Sequence, residues 1–209
     1  MGVPIDGVFF PLTSDAGVPG PLMGPGLAAS AKPNLDSLVQ HVRAASTGLW
    51  RPDFVVLHNT APPTLAQRPR GFSRQNMEDL ADFYAAKGWH AGPHWFVDDR
   101  GAWAFSTQDR RGVHSPSWNG VSWGVEQLGD YETEAYDSGR GAQVRDNAVT
   151  LLAVLHHRLG IESDTLRFHK EDPQTEHKDC PGGHCVKSDV IARVHSRILA
   201  LRGLGVLPS

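Results

Sequence analysis

The chain has 209 residues, 40% of them hydrophobic and 21% charged, and a formal net charge of -3. This length and composition are typical of one globular domain with a sizeable core. The basic residues are scattered rather than grouped in a Lys/Arg-rich block, which argues against a nucleic-acid partner or an anionic-membrane patch. The two cysteines, Cys180 and Cys185, are too few to staple a small secreted scaffold.

The N-terminal sequence lacks the basic region and the apolar run of a signal peptide, and no later stretch is long enough to span a bilayer. We therefore expect a protein that is made in the cytoplasm without a signal peptide and has no membrane span. A target outside the cytoplasm would require release or delivery by other machinery.

The first 33 residues or so are rich in Gly and Pro, which favours an irregular arm wrapped on the domain or a flexible leader. From Asn34 onward, apolar residues at positions 35, 38, 39 and 42 recur at helical spacing and predict a short amphipathic helix. We therefore divide the chain into an N-terminal extension with a short helix, residues 1–45, and a main domain, residues 46–209.

The next segment begins with a buried strand. Residues 53–58 are short, apolar and rich in β-formers, and a surface loop follows them. Ser73 can cap a helix that ends at Gly88. Residues 94–97 and 102–105 flank Asp-Asp-Arg-Gly and predict a hairpin.

The second half continues the alternation of strands and helices. Residues 112–114 and 123–128 are predicted to extend the sheet. Apolar residues at helical spacing over 144–159 predict a helix that ends at a glycine, and residues 186–201 predict a last amphipathic helix. With a short strand near residues 166–168, this order predicts an α/β domain with a central mixed β-sheet flanked by α-helices.

Three side chains have the chemistry of a metal site. His58 ends the first apolar strand, and His169 and Cys180 lie in the later segment RFHKEDPQTEHKDCPGG. Two imidazoles and one thiolate form a zinc ligand set that leaves one coordination position open. Zinc at such a position lowers the pKa of its water from about 15.7 to about 7. The pattern therefore predicts a zinc hydrolase.

Two alternatives remain open at this point. The chain has 11 histidines, and His177 and His184 lie close enough to Cys180 to displace a member of the set. A disulfide between Cys180 and Cys185 would remove the thiolate ligand altogether.

Four separated blocks carry a family resemblance. They are FVVLHNTA, KGWHAGPHWFVDDRGAW, GVHSPSWNGVSWGVEQLGDY and the segment 169–182. Over about residues 53–187 the chain resembles the zinc-dependent N-acetylmuramoyl-L-alanine amidases of type 2, a family that includes phage lysozyme-amidases and peptidoglycan recognition proteins. The resemblance implies a peptidoglycan recognition protein-like fold, with residues 46–209 as the zinc amidase catalytic domain.

The same resemblance implies roles for individual residues. His58, His169 and Cys180 match the three Zn²⁺ ligands. Glu126 matches the catalytic glutamate, which can act as a general base. Lys178 matches a lysine whose ammonium can stabilise the negative oxygen of a tetrahedral intermediate.

Two further positions match residues along the substrate groove of the family, namely His114 and Asn119, which the resemblance implies as substrate-binding residues. The chain departs from the phage lysozyme-amidases at Pro93, where those enzymes carry a tyrosine. This difference shifts the proton-transfer role onto Glu126 and resembles the muropeptide-recycling amidases.

The implied activity is hydrolysis of the amide between N-acetylmuramic acid and the L-alanine of the stem peptide. The expected settings are a phage endolysin or an interbacterial lytic effector that acts on the cell wall after release or delivery. The alternatives are a peptidoglycan-binding module without catalysis and a cytosolic amidase that recycles muropeptides. We expect a monomer whose partner is peptidoglycan or a muropeptide.

Overall fold

The structure, a computed structural model, describes residues 3–12, 25–45 and 48–208, with side chains from residue 32 onward in the second range. The helices are α1 (Pro25–Ala45), α2 (Arg74–Ala86), α3 (Gly139–Leu159) and α4 (Lys187–Gly203). The strands are β1 (Val8–Pro11), β2 (Phe54–Asn59), β3 (Trp95–Val97), β4 (Gly101–Ala104), β5 (Ser122–Gln127) and β6 (Arg167–Phe168).

The six strands form one mixed sheet in the order β1-β4-β3-β5-β2-β6. The pairs β3–β5, β5–β2 and β2–β6 are parallel, and β1–β4 and β4–β3 are antiparallel. Helix α3 contacts four of the strands and also packs against α1 and α4. The predicted α/β domain with a central mixed sheet flanked by helices is confirmed.

Helix α3 is the centre of the core. The apolar side chains that predicted it are all buried, from Val144 to Leu159, and burial of apolar surface is the main driving force for packing this helix on the sheet. The helix ends at Gly160, whose φ of 66° lies in the left-handed region that glycine adopts without a Cβ penalty. Both the predicted face and the predicted end of the helix are confirmed.

Helix α2 also begins where the sequence predicts. The Ser73 hydroxyl accepts a hydrogen bond from the backbone N–H of Asn76, and the Asn76 side chain accepts one from the backbone N–H of Ser73. This reciprocal cap satisfies two donors that would otherwise lack partners at the start of the helix.

The N-terminal extension differs from its prediction in two places. Residues 8–11 form strand β1, which pairs with β4 at the edge of the sheet. Helix α1 starts at Pro25 and includes Pro33, whereas the predicted helix starts at Asn34; a proline within a helix removes one backbone hydrogen bond, so it is a poor signal for continuation. Residues 13–24 of the predicted arm lie outside the described residues. The division at residues 45 and 46 stays a prediction.

The predicted strand at residues 112–114 is wrong. The backbone N–H of Val113 donates to the carbonyl of Gly92, and that of His114 donates to the side chain of Asn119. Because a side chain takes the donor that a neighbouring strand would need, the segment forms a loop beside the sheet.

Among the described residues, no helix is long and apolar enough to cross a membrane.

Candidate metal centre and active site

Two neighbouring parallel strands bring the two predicted histidine ligands together. The register pairs Leu57 of β2 with Phe168 of β6, so the next residues, His58 and His169, leave the same edge of the sheet side by side. Their ring centroids lie 4.3 Å apart. The candidate donor atoms of His58, His169 and Cys180 all lie within 4.8 Å of one another.

The loop that carries Cys180 is held against both strands. The backbone N–H of Asn59 donates to the Cys180 sulfur over 3.4 Å, and the backbone N–H of Lys170 donates to the Cys180 carbonyl over 3.0 Å. Cys180 and Cys185 are both free thiols. The disulfide alternative therefore does not occur in this structure, and the Cys180 sulfur is available as a ligand.

The electrostatics of the three donors suit a divalent cation. Burial, followed by the nearby imidazoles of His114, His169 and His177, lowers the pKa of His58 well below its usual value. Burial, and then His177, lowers the pKa of His169 to about 4, so both rings are neutral near pH 7. Burial, and then Glu126, raises the pKa of the Cys180 thiol. Neutral imidazoles and a thiol that loses its proton on binding are the donors that zinc prefers.

Glu126 lies beside this group. The β2–β5 register pairs it with His58, and paired residues of adjacent strands project from the same face of a sheet. Burial raises the pKa of the Glu126 carboxyl to about 8, and its charge in turn raises the pKa of the Cys180 thiol. A partly buried carboxyl with a pKa near neutrality can both accept and return a proton.

Lys178 is exposed on the loop that precedes Cys180. Its positive charge contributes to lowering the pKa of His169, so the ammonium group is close enough to interact electrostatically with one of the three candidate donors. The role of Lys178 in stabilising an oxyanion stays a prediction.

His114 and Asn119 occupy positions that the sequence does not reveal. His114 Nδ1 lies 3.1 Å from His58 Nε2, and His114 Nε2 lies 3.3 Å from the Ser122 carbonyl oxygen. The Asn119 side-chain oxygen accepts from the backbone N–H groups of His114 and Ser115. These polar atoms are thus engaged within the protein, and direct contact of either residue with substrate stays a prediction.

The rival ligands lie at the margin of the site. The ring of the exposed His177 is tilted by 31° against the ring of His169, with centroids 5.2 Å apart, and His184 Nδ1 lies within hydrogen-bond distance of the Glu134 carbonyl oxygen. Within the described ranges, the group of donors close enough to share an ion consists of His58, His169 and Cys180.

Two further residues, Asp172 and Tyr84, lie near the site, and no sequence motif indicates them. Asp172 accepts hydrogen bonds from the Ser115 hydroxyl and from the Ser117 backbone, which ties the loop of His114 to the loop of His169. Tyr84 of α2 packs on Gly92, and the Glu126 carboxylate helps to raise the pKa of its phenol. The pairs Ser115–Asp172 and Tyr84–Glu126 are far apart in the chain, so a local sequence pattern cannot reveal them.

A protein-family model matches more than half of this chain. The model of a family described as N-acetylmuramoyl-L-alanine amidase matches residues 49–183. No curated protein sequence matches the chain.

Solved structures are similar in fold. One is the endolysin N-acetylmuramoyl-L-alanine amidase LysCS from Clostridium intestinale, with 21% identity over 70% of this chain and 85% of that chain and a TM-score of 0.55. A second is Drosophila PGRP-LB, with 24% identity over 71% and 82% of the two chains and a TM-score of 0.52. A third is a complex of the peptidoglycan recognition proteins LCa and LCx with tracheal cytotoxin, with 19% identity over 68% and 82% and a TM-score of 0.51.

Proposed function

The chain belongs to the N-acetylmuramoyl-L-alanine amidase family, and from this premise we propose that it hydrolyses the amide between N-acetylmuramic acid and L-alanine in peptidoglycan with the help of zinc. The observation that carries the proposal is the convergence of His58, His169 and Cys180 beside the partly buried residue Glu126. Three donors leave room for a reacting group, which is the arrangement of a catalytic rather than a structural zinc site.

The donor set fits zinc on chemical grounds. Two neutral imidazoles and one thiolate suit a borderline-soft dication, whereas magnesium and calcium prefer oxygen ligands. When bound there, zinc would supply Lewis acidity toward the amide carbonyl and would make water a better nucleophile. The side chains of His58, His169 and Cys180 would hold the ion.

Glu126 is the proposed general base. Its carboxylate takes a proton from the attacking water and returns it to the departing amine of L-alanine, so no net proton is consumed at the enzyme. Glu126 is partly buried, desolvation raises the pKa of its carboxyl to about 8, and a neighbouring dication would favour the ionised form. This position and this pKa support the assignment of Glu126 to both transfers.

Lys178 is the proposed electrostatic stabiliser. Negative charge develops on the carbonyl oxygen only as the tetrahedral intermediate forms, so an ammonium at the rim of the site lowers the barrier more than it tightens substrate binding. The influence of Lys178 on the pKa of His169 supports its closeness to the reacting groups.

Hydrolysis is better supported than binding without cleavage. A module that only holds peptidoglycan gains nothing from three converging metal donors and an adjacent carboxyl of raised pKa, although the likeness to peptidoglycan recognition proteins is compatible with binding. The likeness to an endolysin amidase supports a setting in which the protein acts on the cell wall. We propose a phage endolysin or a delivered lytic effector, with soluble muropeptide recycling as the alternative setting.

Digestion of purified sacculi followed by mass spectrometry tests the reaction. We expect glycan strands that remain intact and free stem peptides that begin with L-alanine. Cut glycan strands or cut peptide cross-links would refute the proposed bond. Parallel digestion of soluble muropeptides distinguishes the settings, because a recycling enzyme should prefer the fragments to the polymer.

A further inference from the structure

His114 contacts the proposed zinc ligand His58 and is not one of the three proposed ligands itself. Its ring packs over the backbone of Gly124 on β5, where an added Cβ would lie 2.5 Å from the His114 Cγ atom. Asn119 holds the His114 backbone through two hydrogen bonds to its own and the following N–H group. The ring is therefore held from both sides before any contact with His58 is considered.

The loop of His114 is also connected to the loop of the second proposed ligand. Ser115 donates a hydroxyl hydrogen bond of 2.5 Å to Asp172, and the Ser117 backbone N–H donates to the same carboxylate oxygen over 3.0 Å. Asp172 follows His169 by three residues and its own N–H bonds the His169 carbonyl. His114 is thus part of a hydrogen-bonded frame around the metal donors.

The hydrogen-bond partners of His114 determine which of its nitrogens carries the hydrogen. The Ser122 carbonyl oxygen can only accept, so the His114 nitrogen facing it, Nε2, must be the donor. In a neutral imidazole the other nitrogen, Nδ1, is then an acceptor. The atom 3.1 Å from that acceptor is His58 Nε2, which must therefore donate.

The direction of the His58–His114 hydrogen bond determines which nitrogen of His58 can bind a metal ion. If His58 Nε2 carries its hydrogen toward His114, the lone pair of His58 is on Nδ1, the nitrogen that remains for a metal ion. His169 Nε2 lies 2.8 Å from the Thr175 hydroxyl oxygen, so this nitrogen is engaged within its own loop and Nδ1 is the nitrogen that remains for a metal ion. In both imidazoles Nε2 faces a hydrogen-bond partner, and Nδ1 is left for a metal ion.

We propose that His114 is a positioning residue that fixes the tautomer and ring orientation of His58, so that the Nδ1 lone pair of His58 faces the zinc ion. The inference rests on the proposed zinc amidase site and goes beyond it, because it assigns to His114 a role in building the metal centre. Partners of this kind, which bond the second nitrogen of a ligand histidine, change metal affinity by about 10- to 100-fold when removed.

The tautomer can be measured without metal or substrate. Long-range proton–nitrogen NMR spectra of the metal-free full chain, labelled with nitrogen-15, should show the hydrogens of His58 and His114 on Nε2. A scalar coupling between His58 Nε2 and His114 Nδ1 should report the hydrogen bond itself. A hydrogen on His58 Nδ1 would overturn the proposal even if every variant failed to fold.

Zinc affinity, measured by competition with a chromophoric chelator, supplies the second readout. His114→Leu, which removes the acceptor, should bind zinc about 10- to 100-fold more weakly, and His114→Asn, whose amide oxygen can accept from His58, should recover most of the loss. The matched control is His156→Leu, which removes a buried histidine from α3 away from the donor group and should leave zinc affinity unchanged.

The outcomes separate this inference from the proposed function. If His114→Leu binds zinc as tightly as the parent protein while the parent cleaves the amide, the positioning role is wrong and the amidase proposal stands. If the parent protein itself binds no zinc, the proposed function fails, and the NMR tautomer still decides whether His114 orients His58.

Discussion

Replacement of Glu126 by glutamine is the most informative single perturbation of the chemistry. Glutamine has nearly the same shape but cannot accept the proton of the attacking water. Glu126 is partly buried, is paired in register with His58, and has a pKa of about 8. Loss of a general base costs about 10²- to 10⁴-fold in rate, which corresponds to about 2.7–5.5 kcal/mol in activation free energy.

The assay compares release of L-alanyl peptides from sacculi with zinc content measured on the same samples. Glu126→Gln should release peptide more slowly by the factor above and should keep its zinc, because the carboxyl lies outside the donor trio. Glu78→Gln, which removes an exposed carboxylate of α2 paired with Arg74, is the matched control and should cleave like the parent. Parental turnover by Glu126→Gln would show that the base is another group, and loss of zinc would show that Glu126 is a ligand.

Three further predictions concern the metal donors and the frame around them. Cys180→Ser should lose stoichiometric zinc binding in metal analysis whereas Cys185→Ser should keep it, and equal zinc contents would refute the ligand assignment. Burial lowers the pKa of His94 from 6.5 to about 4, so between these two pH values the unfolded chain binds a proton at His94 that the folded chain does not. The free energy of unfolding therefore decreases by about 1.4 kcal/mol per pH unit as the pH falls from 6.5 toward 4. Urea unfolding of the metal-free protein should show a flatter acid slope in His94→Gln; an unchanged slope would mean that His94 titrates normally. Gly182→Ala places a side chain at a φ of 103° and against the backbone of Tyr131. The variant should therefore lower the free energy of unfolding by more than the ~1–2 kcal/mol of left-handed strain alone, and it should bind zinc more weakly. Urea-unfolding and zinc-titration midpoints equal to those of the parent protein would contradict this prediction.

The parts of the fold that follow local periodicity could be predicted from the sequence. Helix α3 and its end at Gly160 follow from apolar spacing and one glycine, and the start of α2 follows from Ser73. The three candidate metal donors could be predicted as residue types, because a strand-end histidine and a later His/Cys loop supply two imidazoles and one thiol. Their convergence needed the parallel pairing of β2 and β6, which the sequence suggests only through family resemblance.

The parts that depend on distant partners could not be predicted. Strand β1 is four residues long, lies in a Gly/Pro-rich stretch, and exists because β4 pairs with it some 90 positions later. The segment that contains His114 has a strand-like composition, yet Asn119 takes its backbone donor and turns it into a loop. The contact of His114 with His58 spans 56 positions, and no local pattern signals it.

Metal removal and reconstitution test the central claim most directly. The full-length protein is stripped of metal with a chelator, and peptide release from sacculi is measured as zinc is added back. The stripped protein should release no peptide, and activity should return in proportion to zinc and level off at one ion per chain, bound by His58, His169 and Cys180. Undiminished peptide release by the stripped protein would contradict hydrolysis at this centre.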